Sequence, residues 1–244
     1  MATQAKKLAD SLEALTALLA DGRRAVRSRD LTRTHRERLL AAGFLQEVMK
    51  GWYTPSQPSQ PGGESTSWYI SFWGFCADYL DARFGDDWCL SPEQSLVVHA
   101  GNWTVPSQLL VRSSRGDNNP VSLPFATALF TVRTPLPSRS ALVVKDGLRL
   151  YAPVAALMAV AADFFTYHEI DARTNLAQIR DASEVLPVLL EQGHTTIAGR
   201  LAGALENMGR VRMAEDIVQA MRAAGHEVRK SDPFPSKATR SAGS

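Results

Sequence analysis

Cysteine is scarce in this chain: 244 residues hold two, Cys76 and Cys89. Two thiols exclude a disulfide framework and a cysteine-rich zinc site, and reduced thiols in a cytoplasmic protein are the simplest expectation. An excess of one charge is also missing. Lys and Arg number 27 against 25 Asp and Glu, a net of +2, so no global polyelectrolyte attraction follows. No apolar run approaches the ~20 residues of a membrane span. Residues 1–22 alternate apolar and polar side chains and lack the apolar core of a signal peptide. No membrane association is expected.

Strings that announce chemistry are absent too. The sequence has no phosphate-cradling glycine loop ending in Lys-Ser/Thr, no His-Glu-x-x-His, no Cys-x-x-Cys and no Gly-x-Ser-x-Gly elbow. His168-Glu169 is a lone pair of neighbours. His99 lies in an apolar stretch and reads as a hydrogen-bonded core histidine. No catalytic residue, metal ligand or cofactor is therefore expected, and the chain does not read as an enzyme.

What the sequence does have is a basic N-terminal stretch. Residues 1–54 carry ten Lys/Arg against six Asp/Glu, a net of +4, which leaves the remainder at −2. Arg23, Arg24, Arg27, Arg29, Arg33, Arg36 and Arg38 oppose only Asp30 and Glu37 between positions 23 and 38. Such a local excess suits phosphate neutralisation, and a solvated helix face mixes its signs more evenly. The order of elements agrees. Residues 5–20 are an amphipathic helix with Leu8, Leu12, Leu15, Leu18 and Leu19 on one face, stopped by Asp21-Gly22. A short segment (26–31) leads into a second helix from about Thr32 to Ala42, with Gly43 at its C-terminal end. Leu31, His35, Leu39 and Ala42 share the inner face of that helix. Residues 44–48 and 52–54 then form a hairpin around Met49-Lys50-Gly51. Together these predict a winged helix-turn-helix. Arg33, Thr34 and Arg36 on the second helix, Arg29 before it and Lys50 at the hairpin tip are the candidate DNA contacts, with a dimer on two half-sites.

Residues 55–66, rich in proline, glycine and serine, read as a linker between domains. The second domain, 67–230, opens on an aromatic helix. Tyr69, Phe72, Trp73, Cys76, Tyr79 and Leu80 share its stripe, which reads as core. Ser91-Pro92-Glu93-Gln94 reads as an N-cap, a first-turn proline and a capping-box glutamine. Short strands follow at 109–111, 129–132, 142–145 and 148–151, the last two joined by Asp146-Gly147, and a small antiparallel sheet fits them. Helices are expected at 154–165, 175–179, 184–191, 195–208 and 210–223, with Pro187 tolerable only in a first turn. Leu201, Leu205 and Met208 would face Met213, Ile217 and Met221 in a C-terminal bundle. The tail 231–244 reads as disordered. The fold class is thus α+β: a winged helix, then a larger domain of small antiparallel sheet and helical bundle.

The segment Leu31-Thr32-Arg33-Thr34-His35-Arg36-Glu37-Arg38-Leu39, the Gly51-Trp52-Tyr53 hairpin and the Leu90-Ser91-Pro92-Glu93-Gln94-Ser95 helix start also carry a resemblance. Over nearly its whole length the chain resembles the N-terminal region found ahead of the catalytic domain in some bacterial Fic-family proteins. Its layout is similar to that of AbiEi-type antitoxins. Fic nucleotidyl transfer would need His-x-Phe-x-Asp/Glu-Gly-Asn-Gly-Arg, which is missing. Ala202 stands where the inhibitory pattern ending in Glu206-Asn207 needs a hydroxyl. The resemblance therefore implies no activity here. It implies a DNA-binding regulator of antitoxin kind, or a regulatory module that holds a toxin or a Fic catalytic domain lying beyond Ser244 or on another chain.

Overall fold

The computed structural model describes residues 3–58, 64–191 and 193–234. It is a mixed α+β protein of many helices and small sheets. Its contacts divide it into two compact units. The first comprises Met1–Leu90, Thr104–Pro137 and Val144–Arg149; the second comprises Ser91–Trp103, Ser138–Val143 and Leu150–Ser244.

The first unit begins with α1 (Gln4–Ala20), capped by the Thr3 hydroxyl accepting from the Lys6 N–H. Strand β1 (Val26–Arg27), helix α2 (Arg33–Ala41) and strands β2 (Leu45–Met49) and β3 (Trp52–Pro55) follow, the strands pairing in the order β1-β3-β2. The two-residue strand β1 was not expected; Val26 pairs with Tyr53 and Arg27 with Trp52. Leu15, Val26, Leu31, Leu39, Leu45 and Tyr53 close one apolar cluster between helices and sheet.

The expected 55–66 linker does not coincide with the division into units, since residues on both sides of it belong to the first. Pro55 ends β3, and Ser56 donates its N–H to the Phe44 carbonyl and its hydroxyl to that of Gly43. Residues 59–63 lie outside the described residues, and Glu64 already opens α3 (Glu64–Phe84). Trp68, Phe72, Phe75, Cys76 and Leu80 of α3 are fully buried, while Tyr69, expected on the buried stripe, is exposed. The covered side of α3 is the one where Trp52 of β3 meets Phe75 and Tyr79 edge-on, and where Trp68 Nε1–H donates to Thr127 Oγ1.

Thr127 belongs to a four-stranded sheet of β4 (Cys89–Leu90), β5 (Gln108–Ser113), β6 (Pro120–Leu123) and β7 (Thr127–Arg133), ordered β4-β5-β7-β6. The expected purely antiparallel sheet is corrected at its centre, where β5 and β7 run parallel. The chain turns at Asp117-Asn118-Asn119, runs back as the edge strand β6 and returns as β7 between β6 and β5. Only Val121 and Leu123 are apolar in β6, too faint a signal for the strand that reverses the direction. The Asp146-Gly147 hairpin between β8 (Leu142–Lys145) and β9 (Leu148–Tyr151) has both turn residues at positive φ, 53° and 82°, as the type I′ turn requires.

The second unit contains α4 (Pro92–His99), whose Ser91 cap accepts from the Gln94 N–H, then α5 (Pro153–Ala159), α6 (Phe164–Tyr167), α7 (Glu169–Gln178), α8 (Leu186–Glu191), α9 (Thr195–Asn207) and α10 (Val211–Ala223). The single helix expected over 154–165 is broken, because Val160 adopts an extended backbone. Helix α7 starts at Glu169 rather than 175: its buried face includes Asp171 and Asn175, which blur the apolar period. Pro187 sits in the first turn of α8. Leu201 and Leu205 of α9 and Met213, Ile217 and Met221 of α10 are buried. The disorder expected for 231–244 does not hold for its described part. The Ser231 N–H donates to the Gly199 carbonyl, and the Phe234 ring lies under the Arg173 guanidinium at 4.0 Å. Residues 235–244 lie outside the described residues.

Candidate nucleic-acid interface

Helix α2 is fixed by what surrounds it. The Thr32 hydroxyl accepts from the His35 N–H at its start. At its end Gly43, at φ 75°, lets the Phe44 N–H reach the Leu39 carbonyl and its own N–H reach that of Leu40. Leu39 is fully buried. His35 Nδ1 lies 2.8 Å from Ser11 Oγ, whose hydroxyl already donates to the Lys7 carbonyl, so the imidazole N–H is the donor in that pair. The helix is therefore clamped on α1 and on the sheet, and its remaining face looks to solvent.

On that face lie Arg33 and Thr34, both exposed. The Arg33 side chain is 82% exposed and pairs with Glu37 at 2.6 Å, itself 59% exposed. The pair raises the Arg33 pKa and lowers that of Glu37 through their hydrogen bond and mutual charge. Exposed pairs of this kind contribute little, so a ligand can displace Glu37 readily. Arg29, in the turn before α2, and Lys50, in the turn between β2 and β3, are exposed, and neither side chain makes an ion pair among the described residues.

Arg36, the other candidate contact on α2, is not exposed like Arg33 and Thr34. It is half-buried, donates from Nη1 to the Ser28 carbonyl at 2.7 Å, and lies over the Tyr53 ring at 5.8 Å. That arginine ties α2 to the segment after β1 and to β3. Sequence spacing could not give this, since Tyr53 is seventeen positions away in a different element.

Arg23 and Arg27 are held back by Asp30. Burial pushes the Asp30 carboxyl up, but bonds from the Arg27 N–H and side chain and the charges of Arg27 and Arg23 outweigh it, leaving a pKa below the ordinary value. Asp78 of α3 accepts both the Arg24 and the Ala25 N–H through one oxygen, at 2.6 and 2.7 Å. Arg23, Arg27, Asp30 and Asp78 line a cavity of about 310 Å³ together with Asp81, so its two cations face three carboxylates. Arg29 and Lys50, by contrast, are among the exposed cations without an ion pair among the described residues, and they flank the helix that carries Arg33.

Both thiols are buried, and burial pushes Cys89 up to about 12 and Cys76 further. Among the described residues no cluster of three His, Cys, Asp or Glu could hold a metal ion, and no helix is long and apolar enough to cross a membrane. No protein-family model matches the chain, and no curated protein matches it.

Proposed function

We propose that the chain is a DNA-binding transcriptional regulator of antitoxin-like, autoregulatory kind, with α1, β1, α2, β2 and β3 acting as a winged helix. The observation that carries the reading is one exposed helix face bearing Arg33 and Thr34, locked on a buried core and flanked by the unpaired cations Arg29 and Lys50. The element order and the β1-β3-β2 sheet suit such a module. In this reading Arg33, freed from Glu37, meets a guanine edge, Thr34 lies beside it, and Arg29 and Lys50 take phosphates. Arg36 acts by holding the helix against β3 and touches DNA from that fixed position. Two copies on two half-sites complete the assembly.

Binding of the full chain to the duplex upstream of its own gene, titrated with salt, tests this. The logarithm of affinity should fall linearly with the logarithm of salt, and a scrambled duplex should bind more weakly.

A second reading is favoured by a different observation. In the first unit Ile70 is 79% exposed beside exposed Tyr69, whose ring lies 6.4 Å from that of exposed Phe125. Phe125 and Ala126 both hold positive φ at 54° and 56°, strain that suits a surface kept for contact. The chain would then be an interaction module for a toxin or a Fic-type catalytic domain, in line with the resemblance noted above. Partner binding insensitive to salt, without DNA binding, would support it.

A further inference from the structure

We propose that the cleft between the first turns of α1 and the last turn of α2 receives a phosphate group of the DNA backbone. Its assignment to DNA rests on the reading of α2 given above; its preference for phosphate rests on the cleft itself. The cleft has a volume of about 320 Å³ and is lined by Gln4, Lys7, Leu8, Arg38, Ala41 and Ala42. Two of these side chains are cations, one is an amide, and none is a carboxylate. Neither Lys7 nor Arg38 makes an ion pair among the described residues.

The Arg38 guanidinium is held in place before any ligand arrives, while the Lys7 ammonium stays exposed beside it. Arg38 Nη1 donates to the Lys7 carbonyl at 3.4 Å. The same carbonyl accepts the Ser11 hydroxyl at 2.9 Å, and Ser11 accepts from His35. This relay pins α1 against α2 and spends one of the five guanidinium donors of Arg38. The N-terminal dipole of α1 and the C-terminal dipole of α2 oppose each other there, so the side chains decide the sign of the cleft. Two like charges share one concavity, and an anion with several acceptor oxygens would relieve both.

Geometry names the source of that anion. Arg33 begins α2 and Ala41 ends it, a separation of about 12 Å at 1.5 Å per residue. The major groove is also about 12 Å wide. A helix that meets base edges with its first turn therefore brings its last turn to the phosphates at the groove wall. Lys50 and Arg29 would grip one side of the site and the Lys7–Arg38 cleft another.

The test compares the full chain with Lys7→Gln/Arg38→Gln. Counterion release for one phosphate follows salt with a slope of about 0.9. The double variant should lose about that much of the salt slope and bind about eightfold more weakly at 0.1 M salt, with its preference among duplex sequences unchanged. A parallel arm measures the melting temperature with tripolyphosphate, which should rise for the parent and not for the variant. Lys7→Gln alone serves if the double variant does not fold, because no described bond depends on the Lys7 ammonium. Should no duplex bind even the parent, the DNA reading fails; a tripolyphosphate shift lost in the variant would still support an anion cleft with another phosphate source. Equal shifts in parent and variant, or an unchanged salt slope, would overturn the proposal.

Discussion

Asp78→Ala is the change that most sharply tests how the N-terminal elements are held. One carboxylate oxygen of Asp78 accepts two successive N–H groups, those of Arg24 and Ala25. Ala25 is 4% exposed, so removal of its acceptor leaves a buried donor without a partner, which costs about 1–3 kcal/mol. Arg24 is exposed and water can replace its bond, so that loss is about 0.5–1.5 kcal/mol. The total is about 1.5–4.5 kcal/mol. With a urea slope of about 2 kcal/mol/M, the midpoint of the first unit should fall by about 1–2 M. Tryptophan fluorescence follows this unit well, because Trp52, Trp68, Trp73 and Trp88 lie in it and only Trp103 lies outside. Asp78→Asn retains an acceptor oxygen and should fall between the parent and the alanine variant. An unchanged midpoint for Asp78→Ala would refute the argument, and would mean that residues 23–25 do not depend on α3.

Other consequences follow from packing and charge. Trp73→Ala should cost roughly 3–5 kcal/mol, read by denaturant unfolding, because the ring is buried and meets Phe72 edge-on. A Cβ on Gly203 would overlap the Ser231 carbonyl, so Gly203→Ala should destabilise the second unit by about 1–3 kcal/mol and raise hydrogen exchange over 229–234. Asp117 accepts from the Thr131 hydroxyl; that bond and the Arg83 guanidinium bring its pKa from 3.8 down to about 2 despite partial burial. A lowered folded pKa means that its contribution is complete above about pH 5 and disappears as the pH falls from about 4 towards 2. The stability gap between parent and Asp117→Asn should therefore narrow over that window in acid unfolding, and a gap that widens there would contradict the assignment.

The elements easiest to read were those marked by local chemistry. Thr32 and Ser91 cap their helices through their hydroxyls, Gly43 ends α2, and Asp146-Gly147 turns the last hairpin, each within a few residues of its signal. What escaped was set by distant partners. Strand β1 has two residues and exists because Tyr53 and Trp52 lie beside it, and the short β6 is visible only through its ladder with β7. The parallel β5–β7 pair follows from that hidden strand. The docking of Phe234 likewise depends on a side chain far along the chain, and the carbonyl of Val160, where the helix breaks, accepts from Arg200. The same holds at the candidate interface. Exposed Arg33, Thr34, Arg29 and Lys50 could be picked from local charge and helical period. The restraint on Arg36 by Tyr53, and the meeting of Lys7 with Arg38 across thirty-one positions, required the fold.

The most direct test of the central claim is a salt titration of duplex binding by Arg33→Ala and Lys50→Ala beside the parent, with circular dichroism showing that all three are folded. If α2 reads DNA as proposed, Arg33→Ala loses roughly 5- to 150-fold of discrimination among duplexes while keeping its non-specific affinity. Lys50→Ala should instead weaken binding to every duplex alike and lower the salt slope by about one. Should both variants bind every duplex as the parent does at all salt concentrations, α2 is not a DNA-reading helix.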